Sequence, residues 1–112
     1  MDVKRGDVVT CVIAGDYGKP RPALVLQSNL YNRTHASVVV LPITSHCIDA
    51  PLFRISLSPG KGNGLKLPSQ IMVDKLSALR RDRLGQRIGH VSPAVLARVE
   101  SALVGFLDLP AS

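Results

Sequence analysis

Apolar and polar residues alternate along most of this chain, and a period of two is typical of β-strands with one buried face. The segments with this pattern, or with a short continuous apolar run, are 7–14, 21–27, 37–44, 51–57, 69–75 and 86–91. Turn-forming residues separate them, most clearly the stretch 58–64, Ser-Pro-Gly-Lys-Gly-Asn-Gly. Short strands joined by tight turns predict a mainly β fold, built as a curled sheet or a small barrel.

Two of these strands differ in the faces that they bury. In the second strand, alternation puts Pro22, Leu24 and Leu26 on one face, which we expect to face the core. The opposite face carries Arg21, Ala23, Val25 and Gln27. The run 37–44 is apolar on both faces, which favours a central or strongly curved strand. Because Pro42 cannot donate to a ladder, a bulge or an edge is expected there.

The pattern changes to a helical one near the end of the chain. Ser92 followed by Pro93 is typical of a helix N-cap with proline at the first helical position. Apolar residues then recur at spacings of three and four: Val95, Leu96, Val99, Leu103, Phe106 and Leu107. This predicts an amphipathic helix that covers one face or end of the barrel. Residues 80–85 favour one short accessory helical turn, closed by Gly85.

Length and charge bound the function. The 112 residues, 46% of them apolar, fit a single domain over residues 1–112 with one modest core. Fourteen Lys and Arg against eight Asp and Glu give a net charge of +6, which indicates an anionic partner such as nucleic acid. With two Tyr, two Phe and no Trp, few side chains can stack on bases. Hydrogen bonds and phosphate contacts are therefore expected to dominate binding.

Several classes of protein find no support in the sequence. No apolar run approaches the roughly 20 residues that span a bilayer, and the N-terminus lacks a signal-peptide core, so we expect a cytoplasmic protein without membrane contact. Cys11 and Cys47 lack metal or disulfide spacing and are expected to be reduced. Catalytic motifs of the G-x-S-x-G, Walker and HExxH types do not occur. The cluster His46-Cys47-Ile48-Asp49 lacks a second ligand pair, so no metal and no cofactor are expected.

Arg21 and Thr44 are the strongest candidates for chemistry. Pro20 and Pro22 fix φ and hold Arg21 in a stiff extended lead-in to its strand. A permanently charged guanidinium on a rigid element suits recognition of phosphate. Thr44 lies where the apolar run ends, and its hydroxyl either binds a ligand or satisfies nearby backbone.

Five short motifs occur in one order along the chain. They are RGDVV from Arg5, RPALVL from Arg21, LPITS from Leu41, MVDK from Met72 and RLG from Arg83. With the closing helix, this order resembles the MazF/PemK/Kid toxin family over roughly residues 3–109. The resemblance implies a compact SH3-like or CcdB-like β-barrel with accessory helices, and a homodimer.

The resemblance also implies an activity and a partner. Members of the family are toxins of type II toxin–antitoxin systems that cut single-stranded RNA, such as mRNA, at specific sequences without a metal. The 2′-hydroxyl of RNA is the nucleophile, so no covalent enzyme intermediate is needed. A cognate antitoxin silences such a toxin by laying an acidic, largely disordered segment across the substrate groove.

Carried over by motif, the family's catalytic residues are Arg21, which would neutralise the scissile phosphate, and Thr44, which would hydrogen-bond it. Asp74 matches an acidic position that is either a general base or a structural residue. Nearby candidates for RNA contact are Lys19, Asn32, Ser45, His46 and Lys75. The chain departs from the pattern at Met72, where one relative has arginine, and at Lys75, where glutamine is frequent. Its first connection, residues 15–20, is also short, so the cut-site sequence does not carry over.

Two alternatives from other classes share parts of this pattern. A CcdB-like DNA gyrase poison would have the same fold but would not need Arg21 and Thr44 together. A non-catalytic nucleic-acid-binding barrel would keep the basic surface without cleaving RNA. RNA cleavage separates both from the endoribonuclease.

Overall fold

The computed structural model describes residues 2–15 and 17–110. Its strands are β1 (Asp7–Val12), β2 (Pro20–Val25), β3 (Ser37–Thr44), β4 (Arg54–Leu57), β5 (Ser69–Met72), β6 (Ser77–Arg80) and β7 (Leu84–His90). Its helices are α1 (Asn29–Asn32) and α2 (Pro93–Leu107), with 3₁₀ turns at Val73–Lys75 and Arg81–Arg83. The prediction of a mainly β fold with a C-terminal helix and a short accessory helical turn is confirmed.

The strands form one curved antiparallel sheet around β3. Its order is β4-β5-β3-β2-β1-β7, and β6 also pairs with β3. Along one edge of β3, residues 37–40 pair with β6, whereas Ile43 and Thr44 pair with β5. Pro42, which has no N–H to donate, lies between these two partners. Of the two alternatives expected for this strand, the central position is the one observed, and the edge of β3 is interrupted at Pro42.

Two apolar clusters lie on opposite faces of this sheet, where one core was expected. The first contains Leu24 and Leu41 and is covered by α2, whose Val99 and Leu103 pack into it. The second contains Val9, Ala23, Val25, Val38 and Val40. The Leu24 face of β2 is a core face, as expected, but the face that carries Ala23 and Val25 is buried as well. The sheet curls far enough that both faces of its central strands are covered.

The observed bounds of two further strands differ from the predicted ones for local reasons. The segment 51–57 becomes a strand only at Arg54, because the N–H groups of Phe53 and Arg54 bond to the Ala50 carbonyl and close a turn. The segment 69–75 leaves the strand after Met72. The N-cap of α2 is as predicted: the Ser92 hydroxyl accepts a bond from the Val95 N–H at 3.2 Å.

None of the helices described is long and apolar enough to cross a membrane. Cys11 is buried and Cys47 is exposed.

Candidate functional site at the bend of the sheet

Arg21 and Thr44 meet where β2 begins and β3 ends. The two strands are antiparallel, with Val25 opposite Val40 and Ala23 opposite Pro42. Continuing that register by two residues brings Arg21 level with Thr44. Arg21 is exposed and Thr44 is half-buried, so both side chains reach the surface. We call this region, where β2 begins and β3 ends, the bend of the sheet.

A cavity of about 430 Å³ opens beside this pair. Its walls are formed by Ile13, Arg21, Pro42, Ile43, Thr44, His46, Met72, Lys75 and Ser77. Four of the residues named from the sequence, Arg21, Thr44, His46 and Lys75, thus line one concave surface. The Val73–Lys75 turn places Lys75 at the cavity because it interrupts the edge of β3 between β5 and β6, which run in the same direction along that edge.

A second cavity, of about 190 Å³, shares Arg21, Ile43 and Thr44 with the first. Its other lining residues include Ser45, Lys66 and Leu67. Ser45 was named from the sequence, but Lys66 was not. Lys66 belongs to no motif and reaches the site only because the 58–68 connection folds back over the sheet, so the sequence pattern gave no indication of it.

The Thr44 hydroxyl has a local role that leaves it able to bind a ligand. Its oxygen accepts a hydrogen bond from the His46 N–H at 3.0 Å. The hydroxyl proton is not used in that bond, so it can donate to an anion in the cavity. Both interpretations of Thr44 from the sequence are therefore compatible with one geometry.

A buried amide fixes the loop that carries Ser45 and His46. Gln70 is 6% exposed and pairs with Thr44 across β3 and β5. Its Oε1 accepts from the Ile48 N–H at 3.1 Å, and its Nε2 donates to the Ile48 carbonyl at 2.8 Å. Arg54 Nη1 donates to the same Oε1 at 3.2 Å. Gln70 was missed from the sequence, although an amide inside an apolar strand was an available indication.

Asp74 lies in the turn beside the site but not on its wall. Its Oδ2 is 3.8 Å from the ammonium of Lys75, whereas its Oδ1 is buried without a hydrogen-bond partner among the described residues. The side chain is 21% exposed. This geometry points Asp74 at the Lys75 ammonium.

The structure does not bring Lys19 and Asn32 to either cavity. Lys19 is exposed one residue before β2. Asn32 is only 1% exposed, and its Nδ2 donates to the Gln27 carbonyl and to Asn29 Oδ1, both at 2.9 Å. The expectation that Asn32 contacts RNA is corrected, because its amide is buried in bonds that order the connection from β2 to β3.

A cavity larger than these two lies elsewhere. It measures about 810 Å³, and its walls include Leu52, Phe53 and Phe106 between the turn before β4 and α2. Its lining includes Arg98 and Ser101 but is otherwise apolar, so it is a poorer candidate for phosphate chemistry than the cavity beside Arg21 and Thr44. Within residues 2–15 and 17–110, His, Cys, Asp and Glu side chains form no group of three or more placed to hold a metal ion.

Comparison with known proteins gives a consistent result over the whole fold. A model of the family described as PemK-like, MazF-like toxin of type II toxin-antitoxin system matches residues 4–107. The chain is 39% identical to the probable endoribonuclease MazF of Mycolicibacterium smegmatis, over 96% of this chain and 98% of that protein. It is 30% identical to endoribonuclease EndoA of Bacillus subtilis, over 92% of each. A mycobacterial endoribonuclease solved in complex with its cognate antitoxin superposes with a TM-score of 0.81 at 27% identity, covering 98% of this chain and 99% of that one.

Proposed function

Since the chain belongs to the PemK-like, MazF-like family of type II toxin–antitoxin toxins, we propose that it is a metal-independent, sequence-specific endoribonuclease acting on single-stranded RNA. The observation that carries this proposal is the convergence of Arg21 and Thr44 on the wall of a cavity that also holds His46 and Lys75. A fixed cation and a hydroxyl donor at one point form a site for a phosphodiester group.

The reaction needs little from the protein beyond charge and position. The 2′-oxygen of the ribose attacks phosphorus and loses its proton, while the bond from phosphorus to the 5′-oxygen breaks and that oxygen gains a proton. The products are a 2′,3′-cyclic phosphate and a 5′-hydroxyl. Arg21 neutralises the charge that builds on the non-bridging oxygens, and Thr44 donates a hydrogen bond to one of them.

Asp74 acts on the neighbouring lysine in this proposal and is not the general base. Its carboxylate is 3.8 Å from the Lys75 ammonium and does not line the cavity. Holding Lys75 toward the groove is the role that this geometry supports. Lys75, His46 and Ser45 then bind RNA around the scissile phosphate, and Lys19 contributes positive charge before β2.

The partners follow from charge and from exposed apolar surface. A chain with a net charge of +6 suits both RNA and an acidic, disordered antitoxin segment, and a related endoribonuclease has been solved with its cognate antitoxin. Leu52, Phe106 and Leu107 are 47–82% exposed, which favours burial in a homodimer. The proposed RNA substrate supports a cytoplasmic location.

Cleavage mapping tests the proposed activity. Purified protein is incubated with long single-stranded RNA in EDTA, and the new 5′ ends are mapped. We expect cuts at a recurring sequence with 5′-hydroxyl ends, and we expect a 2′-deoxy substitution at the cut nucleotide to abolish them. Cleavage that survives the deoxy substitution would contradict attack by the 2′-hydroxyl. DNA damage that depends on gyrase, without RNA cleavage, would favour the CcdB-like alternative.

A further inference from the structure

The two cavities at the bend lie on either side of one shared wall. Arg21, Ile43 and Thr44 contribute to both cavities. His46 and Lys75 belong only to the larger one, and Ser45 and Lys66 only to the smaller one. A phosphate held by Arg21 and Thr44 therefore has space for polynucleotide on both sides, with a lysine in each direction.

The loop before Lys66, residues 58–65, is held in place by hydrogen bonds and by a close contact with β7. Asn63 Oδ1 accepts from the N–H groups of Gly60 and Leu65, and its Nδ2 donates to the Ser58 carbonyl at 2.9 Å. Gly64 has φ +71° and lies so close to β7 that a Cβ would be 2.1 Å from the Ile88 oxygen. This contact fixes the height of the loop above the sheet.

The residues on either side of Lys66 are also anchored. Leu65 is 8% exposed and packs into the first apolar cluster. The Leu67 carbonyl accepts a bond from the buried Ser69 hydroxyl at 2.8 Å. Lys66 itself is exposed and makes no ion pair among the described residues. A flexible side chain with an available ammonium thus starts from a fixed backbone position beside the groove.

We propose that Lys66 binds a phosphate adjacent to the scissile one, so that the smaller cavity is a flanking-nucleotide subsite. This rests on the proposed endoribonuclease function and adds a residue and a direction to it. An ammonium recognises phosphate as a point charge and reads no base. Lys66 therefore contributes to the affinity for RNA and to the position of the RNA strand in the groove, and it does not contribute to the choice of cut sequence.

The first test compares two lysines of the same connection. Lys66→Gln and Lys61→Gln each remove one positive charge from an exposed position, but Lys61 does not line either cavity. Losing one phosphate contact should make the slope of log kcat/KM against log salt concentration shallower by about 0.7 for a single strand. We expect this change for Lys66→Gln only, equally at all cut sequences, with Lys66→Arg restoring the slope. Equal slopes for the Lys66→Gln and Lys61→Gln variants would overturn the subsite.

The second test places the contact on the RNA. In an oligoribonucleotide from a mapped cut site, the phosphate on each side of the scissile one is replaced in turn by a neutral methylphosphonate. One of the two replacements should reduce kcat/KM of the wild type and have no further effect on Lys66→Gln. Additive losses at both positions would refute the contact.

Binding of a single-stranded 2′-O-methyl oligonucleotide of mixed sequence, which cannot be cleaved and needs no mapped cut site, separates the two proposals. A Lys66-specific change in the salt slope of this binding, with no cleavage of unmodified RNA by the wild type, would support the subsite and refute the nuclease. Cleavage by the wild type without any effect specific to Lys66 would refute the subsite alone.

Discussion

Replacing Gln70 by leucine should weaken catalysis without touching a residue that contacts the phosphate. Gln70 is buried between β3 and β4, and its amide makes both hydrogen bonds that hold Ile48. Leucine keeps most of the volume and removes all polar contacts. The loop that starts at Ser45 then loses its anchor, and with it the fixed position of His46.

The size of the stability loss follows from the three bonds removed. Each of the two bonds to Ile48 contributes about 1 kcal/mol, and the charge-assisted bond from Arg54 contributes about 1.5–3 kcal/mol. Water replaces some partners at the exposed loop, so the net loss is about 2–4 kcal/mol. For a domain of this length, that lowers Tm by roughly 8–16 °C. A displacement of about 1 Å in the loop should lower kcat on the order of 10²-fold.

Gln27, two residues beyond the other end of β2, offers a matched control. Its amide also makes three bonds, with Asn32 Oδ1, the Ser37 carbonyl and the Val39 N–H, and it lies away from both cavities. Gln27→Leu should lower Tm by a similar amount and leave kcat per folded molecule unchanged. Thermal unfolding and initial rates, measured at least 15 °C below each Tm, give both quantities. If the two variants lost activity equally, Gln70 would be a stability residue and the loop would not position the site.

Three further outcomes are expected. Thr44→Val should lower kcat by about 10²-fold because it removes one hydrogen-bond donor to the transition state, whereas Thr44→Ser should retain most of the activity. Equal rates for the two variants in a single-turnover assay would refute a catalytic role of the Thr44 hydroxyl. Gly64→Ala should lower the free energy of unfolding, measured in urea, by about 2–4 kcal/mol, because the new Cβ would clash with the Ile88 oxygen and φ is positive there. Gly60→Ala has open space at its Cβ and should change that free energy little, so similar losses in the two variants would refute the close contact. Light scattering at micromolar concentration should give about twice the 12.0 kDa of one chain, and a monomer mass would refute the homodimer.

Local patterns predicted most of the framework. The bounds of β3 match the apolar run 37–44, and the cap at Ser92 starts α2 where expected. These features depend on near neighbours, so a single sequence contains them. The short β6 was missed because Ser77–Arg80 gains its strand character from pairing with β3, a partner distant in sequence. The burial of Ala23 and Val25 was missed for a similar reason, since only the curl of the sheet covers their face.

The sequence predicted the two central residues of the site but not the residues around them. Arg21 and Thr44 lie at strand ends, and antiparallel pairing brings such ends together. Lys66 and Gln70 depend on how two long connections fold back on the sheet, which no local pattern encodes. Asn32 looked like a surface amide in a polar stretch, yet side-chain bonds with Gln27 and Asn29 bury it.

The most direct test of the central claim is the cleavage rate of Arg21→Gln on one mapped RNA in EDTA. Arg21 is exposed, so the variant should keep the thermal stability and circular dichroism of the wild type. We expect site-specific cleavage by the wild type and a loss on the order of 10²-fold or more in the variant, because a charge on the transition state is left without its cation. Cleavage at the wild-type rate by a folded Arg21→Gln protein would contradict the account.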